Sequence, residues 1–398
     1  METQLALDMY MTAGVGVSAL LLGLLFTRAV PFLKRFCIPA PVSGGLLVSL
    51  LTLAAHSFFQ IDFSFDGTVK DLCMLLFFTS VGFQSDFKVL KKGGKPLLVM
   101  IGLVTLLIVV QNILSVGMAK ALRLSPLIGM AAGSIPMSGG HGTAGGFAPV
   151  LASMGLRGAD SITLAAATFG LVAGSLVGGP LGELLVRRRR LASESRATDP
   201  YKEIEAVPGS ASSRDYSVAA CQLILAMALG TAVSRLLALT GITFPTYFGA
   251  LVSAALIRNI FPRKEGGKDY ICEGQIVAIG NICLSLFLGM AMSTLKLWEL
   301  SGLMLPLLAI LLAQTLLIVL YASFVAFPAL GKDYDAAVLV SGLCGFGLGA
   351  TPNAMANMTA VCYKYHYSVK PFIIVPIIGA MFVDIINTGV ITLFLNLI

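Results

Sequence analysis

Apolar residues in this chain run in long blocks, and short polar groups separate them. A helix that crosses a bilayer needs about 20 mostly apolar residues. Ten blocks approach that pattern, at roughly 11–28, 42–59, 72–87, 96–120, 161–186, 216–239, 245–260, 273–292, 303–328 and 371–396. Two further apolar stretches, 127–150 and 336–358, are too glycine-rich for plain helices. They are expected to be re-entrant segments that leave the membrane on the side they entered. The expected fold class is an all-α polytopic membrane protein, with about ten transmembrane helices and two re-entrant hairpins.

The polar groups differ in charge. Arg28, Lys34 and Arg35 follow the first block, and Lys88, Lys91, Lys92 and Lys95 the third. Arg187 to Arg190 follow the fifth, Arg258, Arg263, Lys264 and Lys268 the seventh, and Lys332, Lys364 and Lys370 the ninth. The groups after even blocks are poorer in Lys and Arg; the one at 56–71 sets Asp62, Asp66 and Asp71 against Lys70. Lys and Arg collect in cytoplasmic loops. Odd-numbered exits therefore face the cytoplasm, and both termini lie outside it.

The chain also resembles itself. Pro41-Val42-Ser43-Gly44-Gly45-Leu46-Leu47-Val48-Ser49 parallels Pro245-Thr246-Tyr247-Phe248-Gly249-Ala250-Leu251-Val252-Ser253. Leu76-Phe77 parallels Leu286-Phe287, Pro96-Leu97-Leu98 parallels Pro306-Leu307-Leu308, and Gly140-x-Gly142 parallels Gly345-x-Gly347, in the same order and at nearly one offset. This divides the chain into an N-terminal repeat over 1–186, a cytoplasmic linker over 187–215 and a C-terminal repeat over 216–398. Five spans per half is an odd number, so the second half enters the membrane inverted. Inverted repeats with broken helices near the midplane are an architecture of secondary transporters.

Composition agrees with the pattern. The chain is 57% hydrophobic and 12% charged, about half the charge of an ordinary soluble domain. The net charge of +7 does not indicate nucleic acid, because the basic residues sit between apolar blocks. The seven cysteines are scattered with no CxxC pair, which points to buried small side chains rather than a disulfide or metal framework. There is no HExxH, no GxSxG and no pair of intramembrane aspartates, so a transporter is expected rather than an enzyme. A Ser138–His141 dyad or a channel are the rival readings.

The glycine-rich segments carry the candidate chemistry. The first contains Ser138-Gly139-Gly140-His141-Gly142-Thr143, and the second contains Gly345, Gly347, Gly349 and Thr351. Interior glycines each cost a helix roughly 0.5–1 kcal/mol, so both helices should break there. Broken backbone at membrane depth persists only inside protein or along a watery cavity. Its free N–H groups and helix N-termini can hold carboxylates. His141 reads either as a substrate contact or as a hydrogen-bonded structural group, and Ser138 and Thr143 either as contacts or as local caps. Asp384 is an acid inside the last block, a functional candidate by default. Asn387 and Thr388 share its helix face, and together they offer oxygens for a small cation. Asn353 and Asn357 read as ion or substrate ligands, or as interhelical hydrogen bonds. Gln111 and Gln314 read as interhelical hydrogen bonds.

At these residues the chain resembles the bacterial sodium/glutamate symporter family. The likeness rests on Ser138 to Thr143, on Cys344-Gly345-Phe346-Gly347-Leu348-Gly349-Ala350-Thr351-Pro352 and on Ala356-Asn357-Met358. Leu295 to Leu300 and Lys332 to Leu339 look similar too. The resemblance implies uptake of glutamate across the inner membrane, with Na+ as the coupling ion, by a homodimer. It also implies a scaffold domain and a moving transport domain in an elevator-like arrangement. The alternative is a sodium- or proton-coupled carrier of another dicarboxylate or hydroxycarboxylate.

Overall fold

The structure is a computed structural model that describes residues 3–36, 38–85, 87–191, 213–239, 244–261, 270–300 and 302–398. Most of the expected linker, from 192 to 212, lies outside the described residues, as do Arg263, Lys264 and Lys268. So do the side chains of Lys34, Lys88, Lys91 and Lys92.

Strand β1 (Thr3–Leu7) opens the chain, followed by α1 (Met9–Ala29), the short α2 (Pro31–Arg35) and α3 (Ala40–Phe59). Strand β2 (Ile61–Phe65) then leads into α4 (Thr68–Phe83) and the long α5 (Phe87–Ala121). Helices α6 (Pro126–Ala131), α7 (Ser134–Met137) and α8 (Gly140–Ser153) are short pieces before α9 (Ala159–Arg189). The second half holds α10 (Ser213–Ala238), α11 (Phe248–Ile260), α12 (Glu273–Ser293) and α13 (Met304–Ala329). It ends with α14 (Tyr334–Gly347), α15 (Thr351–Lys364), α16 (Val369–Ile377) and α17 (Val383–Leu395). A π-helical turn, Ile378–Phe382, joins the last two.

Among the described residues, seven helices are long and apolar enough to cross a membrane: α1, α3, the Gly94–Ala121 part of α5, α9, α10, α12 and α13. The other three expected spans take a different form. Helix α4 has 16 residues and α11 has 13, roughly 24 and 20 Å at 1.5 Å per residue. Pro245 and its neighbours form a turn, so α11 starts at Phe248 rather than at 245. The last apolar block is α16 and α17 with the π turn between them. Among the described residues, the regular structure besides helices is one two-stranded sheet. In it β1 pairs parallel with β2, Thr3 opposite Ile61 and Leu7 opposite Phe65. Hydropathy misses this sheet because both strands are five-residue pieces at the ends of apolar blocks.

The helices pack as two bundles, and each draws on both halves of the chain. One joins α1, α3 and α4 with α10, α11 and α12. The other joins α5 to α9 with α13 to α17. Small residues set the closest crossings. A Cβ on Gly44 would lie 1.7 Å from the Ala19 carbonyl oxygen, so α3 meets α1 backbone to backbone, the small-residue mode of membrane helix packing.

Candidate functional site

Two interruptions of the helices meet at one place. In the first, Gly133 precedes α7, and Ser138 and Gly139 separate α7 from α8, which opens at Gly140. Gly140 has φ +60, and a Cβ on it would lie 2.6 Å from the Gly349 carbonyl oxygen. Only glycine fits both the left-handed backbone and that contact. Gly349 belongs to the second interruption. There Leu348 ends α14, Ala350 is extended at φ −164 and ψ 161, and Pro352 sits in the first turn of α15. Helices α14 and α15 form an antiparallel hairpin. Gly345 abuts Ala354, Gly342 abuts Met358, and the Tyr334 hydroxyl at the base reaches the His366 carbonyl.

Buried amides hold the two interruptions together. Gln111 on α5 donates from Nε2 to the Gly347 carbonyl at 2.7 Å, and its Oε1 accepts from the Ser138 hydroxyl at 2.7 Å. Gln314 on α13 donates to the Gln111 carbonyl at 2.8 Å. These two residues do what their mid-block positions suggest. Asn112 adds a pair that sequence reasoning missed: it accepts from the Ser134 N–H at 2.9 Å and donates to the Ser134 hydroxyl at 2.8 Å.

A cavity of about 410 Å³ opens beside this contact, between the two bundles. Phe77, Val81, Asn281, Leu284 and Leu288 form one wall. Ser138 to Thr143, Gly349 to Pro352 and Asp384 form the other. No Lys or Arg lines it among the described residues. Helices α8 and α15 both begin at the cavity, and each has 14 residues. The first N–H groups of a helix have no partner within it, so two positive helix ends converge there.

The structure sorts the sequence-derived candidates. Ser138, Gly139, Gly140, His141, Gly142 and Thr143 all line the cavity, as do Gly349, Thr351 and Asp384. Gly345 and Gly347 do not: a Cβ on Gly345 would meet Ala354 in the hairpin, and one on Gly347 would meet Ile318 and Leu107. Asn353 and Asn357 face away from it as well. They donate to the carbonyls of Leu171 and Gly174 at 2.8 and 2.9 Å, tying α15 to α9.

The polar contacts around the cavity are specific. His141 Nε2 lies 3.0 Å from the Thr168 hydroxyl, which donates its own hydrogen to the Leu164 carbonyl at 2.8 Å. That hydroxyl must therefore accept, which assigns the proton to Nε2. Thr143 donates to Asp384 Oδ1 at 3.4 Å. Asn387 is fully buried and donates from Nδ2 to the Ser134 carbonyl at 3.0 Å, while its Oδ1 has no donor. Thr388 turns to the Tyr247 hydroxyl at 3.5 Å, and the Tyr247 ring stacks on Phe78 at 3.6 Å. Sequence reasoning missed Thr168 and Tyr247. Thr168 is signalled only as a hydroxyl in an alanine-rich stretch, and Tyr247 only by its place in the repeat. No cluster of three or more His, Cys, Asp or Glu residues exists among the described residues. A cation here would be held by hydroxyl, amide and carboxylate oxygens.

A family model described as sodium/glutamate symporter matches residues 5–367. The sodium/glutamate symporter of Escherichia coli (strain K12) is 39% identical over 401 residues, covering 98% of each chain. That of Haemophilus influenzae is 37% identical over 386 residues, covering 96% of this chain and 95% of its own. Among solved structures, the sodium proton antiporter MjNhaP1 from Methanocaldococcus jannaschii aligns over 98% of this chain and 97% of its own, at 18% identity and a TM-score of 0.43. The extent of the family match and the level of identity place this chain in the sodium/glutamate symporter family.

Proposed function

We propose that this chain carries glutamate across the inner membrane together with sodium. The observation that carries the reading is the contact between Gly140 and the Gly349 carbonyl, which brings two helix starts to one cavity. The relatives' name supports sodium and glutamate as the cargo. Glutamate presents two carboxylates and one ammonium. With no Lys or Arg on the wall among the described residues, the carboxylates take donors from the backbone N–H groups that open α8 and α15. Ser138, Thr143, Thr351 and His141 add side-chain contacts on the same wall. Gly345 contributes by letting the hairpin close, and Gly347 by letting it pack against Ile318 and Leu107. Asp384 and the oxygens of its helix face take the cation.

Transport on this reading is alternating access in an elevator-like manner. The bundle that holds both interruptions moves against the bundle that holds Phe77 and Leu284. The reading counts ten spans, with α4, α11 and the α16–α17 pair as the remaining three. It treats 127–150 and 336–358 as re-entrant segments of an inverted repeat, places both termini outside the cytoplasm and includes a homodimer. The distribution of each half over both bundles supports the repeat. The test is uptake of labelled glutamate into proteoliposomes. Saturable uptake that needs an inward sodium gradient is expected. Competition by another dicarboxylate or hydroxycarboxylate that exceeds glutamate's own would reassign the substrate, and uptake indifferent to sodium would overturn the coupling.

A further inference from the structure

Helices α8 and α15 hold equivalent places in the two halves, yet their faces toward the other bundle differ. Phe77 and Phe287 lie 210 residues apart, as do Pro96 and Pro306. The first residues of α8 and α15, Gly140 and Thr351, lie 211 apart. That is a better equivalence than Gly140 with Gly345, which belongs to α14. An offset of 210 carries Gly142, Gly145 and Gly146 on α8 to Pro352, Met355 and Ala356 on α15. It likewise carries Phe77 on α4 to Phe287 on α12.

On α8 this face is covered. A Cβ on Gly145 would strike the Phe287 ring and one on Gly146 the Tyr247 ring, and both rings are buried. Tyr247 stacks in turn on Phe78 and meets Phe147 edge to face. On α15 the same face is open. Pro352, Ala356, Ala360 and Tyr363 are exposed and, with Met355 and Thr359, line an apolar groove. The main packing partners of α15 are α14, α9 and α16, all in its own bundle. The groove joins the cavity at Pro352, and Phe77 stands on the opposite wall. The cavity runs on past Pro39 and Gln84, next to the basic groups that follow the first and third apolar blocks. On the sidedness those groups give, it opens to the cytoplasm and is shut on the other side by the rings over α8.

We infer that Phe77 shuts the cavity on the cytoplasmic side by packing on Met355 and Ala356, as Phe287 now shuts the other side by packing on Gly145. The inference rests on the alternating access proposed above and names its second closure. One state buries α8 against α12 and leaves α15 open; the other buries α15 against α4 and leaves α8 open. The two closures are the same contact made by repeat-related residues. Phe77 already stands at the tip of α8, 3.0 Å from where a Gly142 side chain would begin. Outward movement of the bundle that holds both interruptions brings α15 past that ring. An apolar face beside a watery cavity marks an interaction surface, and this closure is what covers it.

The test pairs cysteines across the two halves in a cysteine-free background, with a protease site in 195–210 so that a disulfide keeps the cut halves together on a denaturing gel. Phe77→Cys with Ala356→Cys should cross-link on oxidation with copper phenanthroline and abolish uptake until a reductant is added. In vesicles that expose the outer face, the linked protein should bind labelled glutamate without transporting it. The pair Gly145→Cys and Phe287→Cys should also cross-link, and that protein should neither bind external glutamate nor transport it. Ala356→Trp fills the groove and meets nothing in the present state. Its thermal stability should match the parent's, while uptake falls at least about tenfold, the effect of overpacking a helix contact. Failure of the 77–356 pair to link in protein that still transports overturns the inference. So does a linked protein that still transports, or one that binds no external glutamate. If the paired variants do not fold, Ala356→Trp decides: undiminished uptake overturns the inference and leaves the α15 face to lipid or a second copy. A parent protein with no sodium-driven glutamate uptake would instead refute the proposed function, whichever way the pairs link.

Discussion

Gly140 and Gly142 stand two residues apart and answer to different constraints. Gly140 combines φ +60 with a Cβ position 2.6 Å from a rigid carbonyl, so any side chain is strained whatever ligand is present. Gly142 has ordinary backbone, and its nearest neighbour is the Phe77 ring at 3.0 Å across the cavity. Gly140→Ala is expected to lower thermal stability, with about 1–2 kcal/mol from the left-handed backbone alone and more from the contact. Gly142→Ala should keep its stability and weaken glutamate affinity. Gly102, with open space around it, should gain about 0.5–1 kcal/mol on becoming Ala, the usual helix preference. Thermal unfolding in detergent, paired with uptake per folded molecule, separates the three. The glycine clusters are plain in the sequence as breaks. Which glycine faces ligand and which faces backbone is not, because that depends on the partner element: Gly347 meets Ile318 and Leu107, and Gly140 meets Gly349.

At the scale of elements, the α14–α15 hairpin is held to α9 by Asn353 and Asn357. Both asparagines look like ligands in the sequence, since they lie one turn apart just beyond a glycine cluster. Neither lines the cavity, and their amide nitrogens bond the carbonyls of Leu171 and Gly174 on α9. Asn357→Ala should therefore cost stability, about 1 kcal/mol for the lost buried bond, and leave the sodium concentration for half-maximal uptake unchanged. A large rise in that concentration would restore Asn357 to the cation site. The π turn at Ile378–Phe382 has no such sequence signal. It lies just before Asp384 and brings Gly379 against the Thr351 hydroxyl, joining α17 to the start of α15. π turns recur at functional sites, and this one places the acid on the cavity wall.

For the whole molecule, apolar block length located most of the helices and basic residues suggested their sidedness. The grouping into two bundles was not legible, since it depends on contacts between distant parts of the chain. The Gly16–Met290 contact is one such, with a Cβ on Gly16 meeting the Met290 side chain at 2.4 Å. Short α4 and α11 and the β1–β2 sheet were also hidden, because each is smaller than the block it adjoins. Sidedness is open to labelling: cysteines placed in 195–210 should react only from the cytoplasm, and those at 3–8 only from outside. Reaction of both from one face would refute the inverted arrangement. The central claim is that the cavity between the bundles holds the substrate. Leu284 lines the wall opposite both interruptions and takes no part in the proposed ligation. In a background with the native cysteines replaced, Leu284→Cys should react with a membrane-impermeant maleimide, and sodium together with glutamate should slow that reaction strongly while glutamate in choline should not. Equal labelling rates under all these conditions, in protein that still transports, would contradict the account.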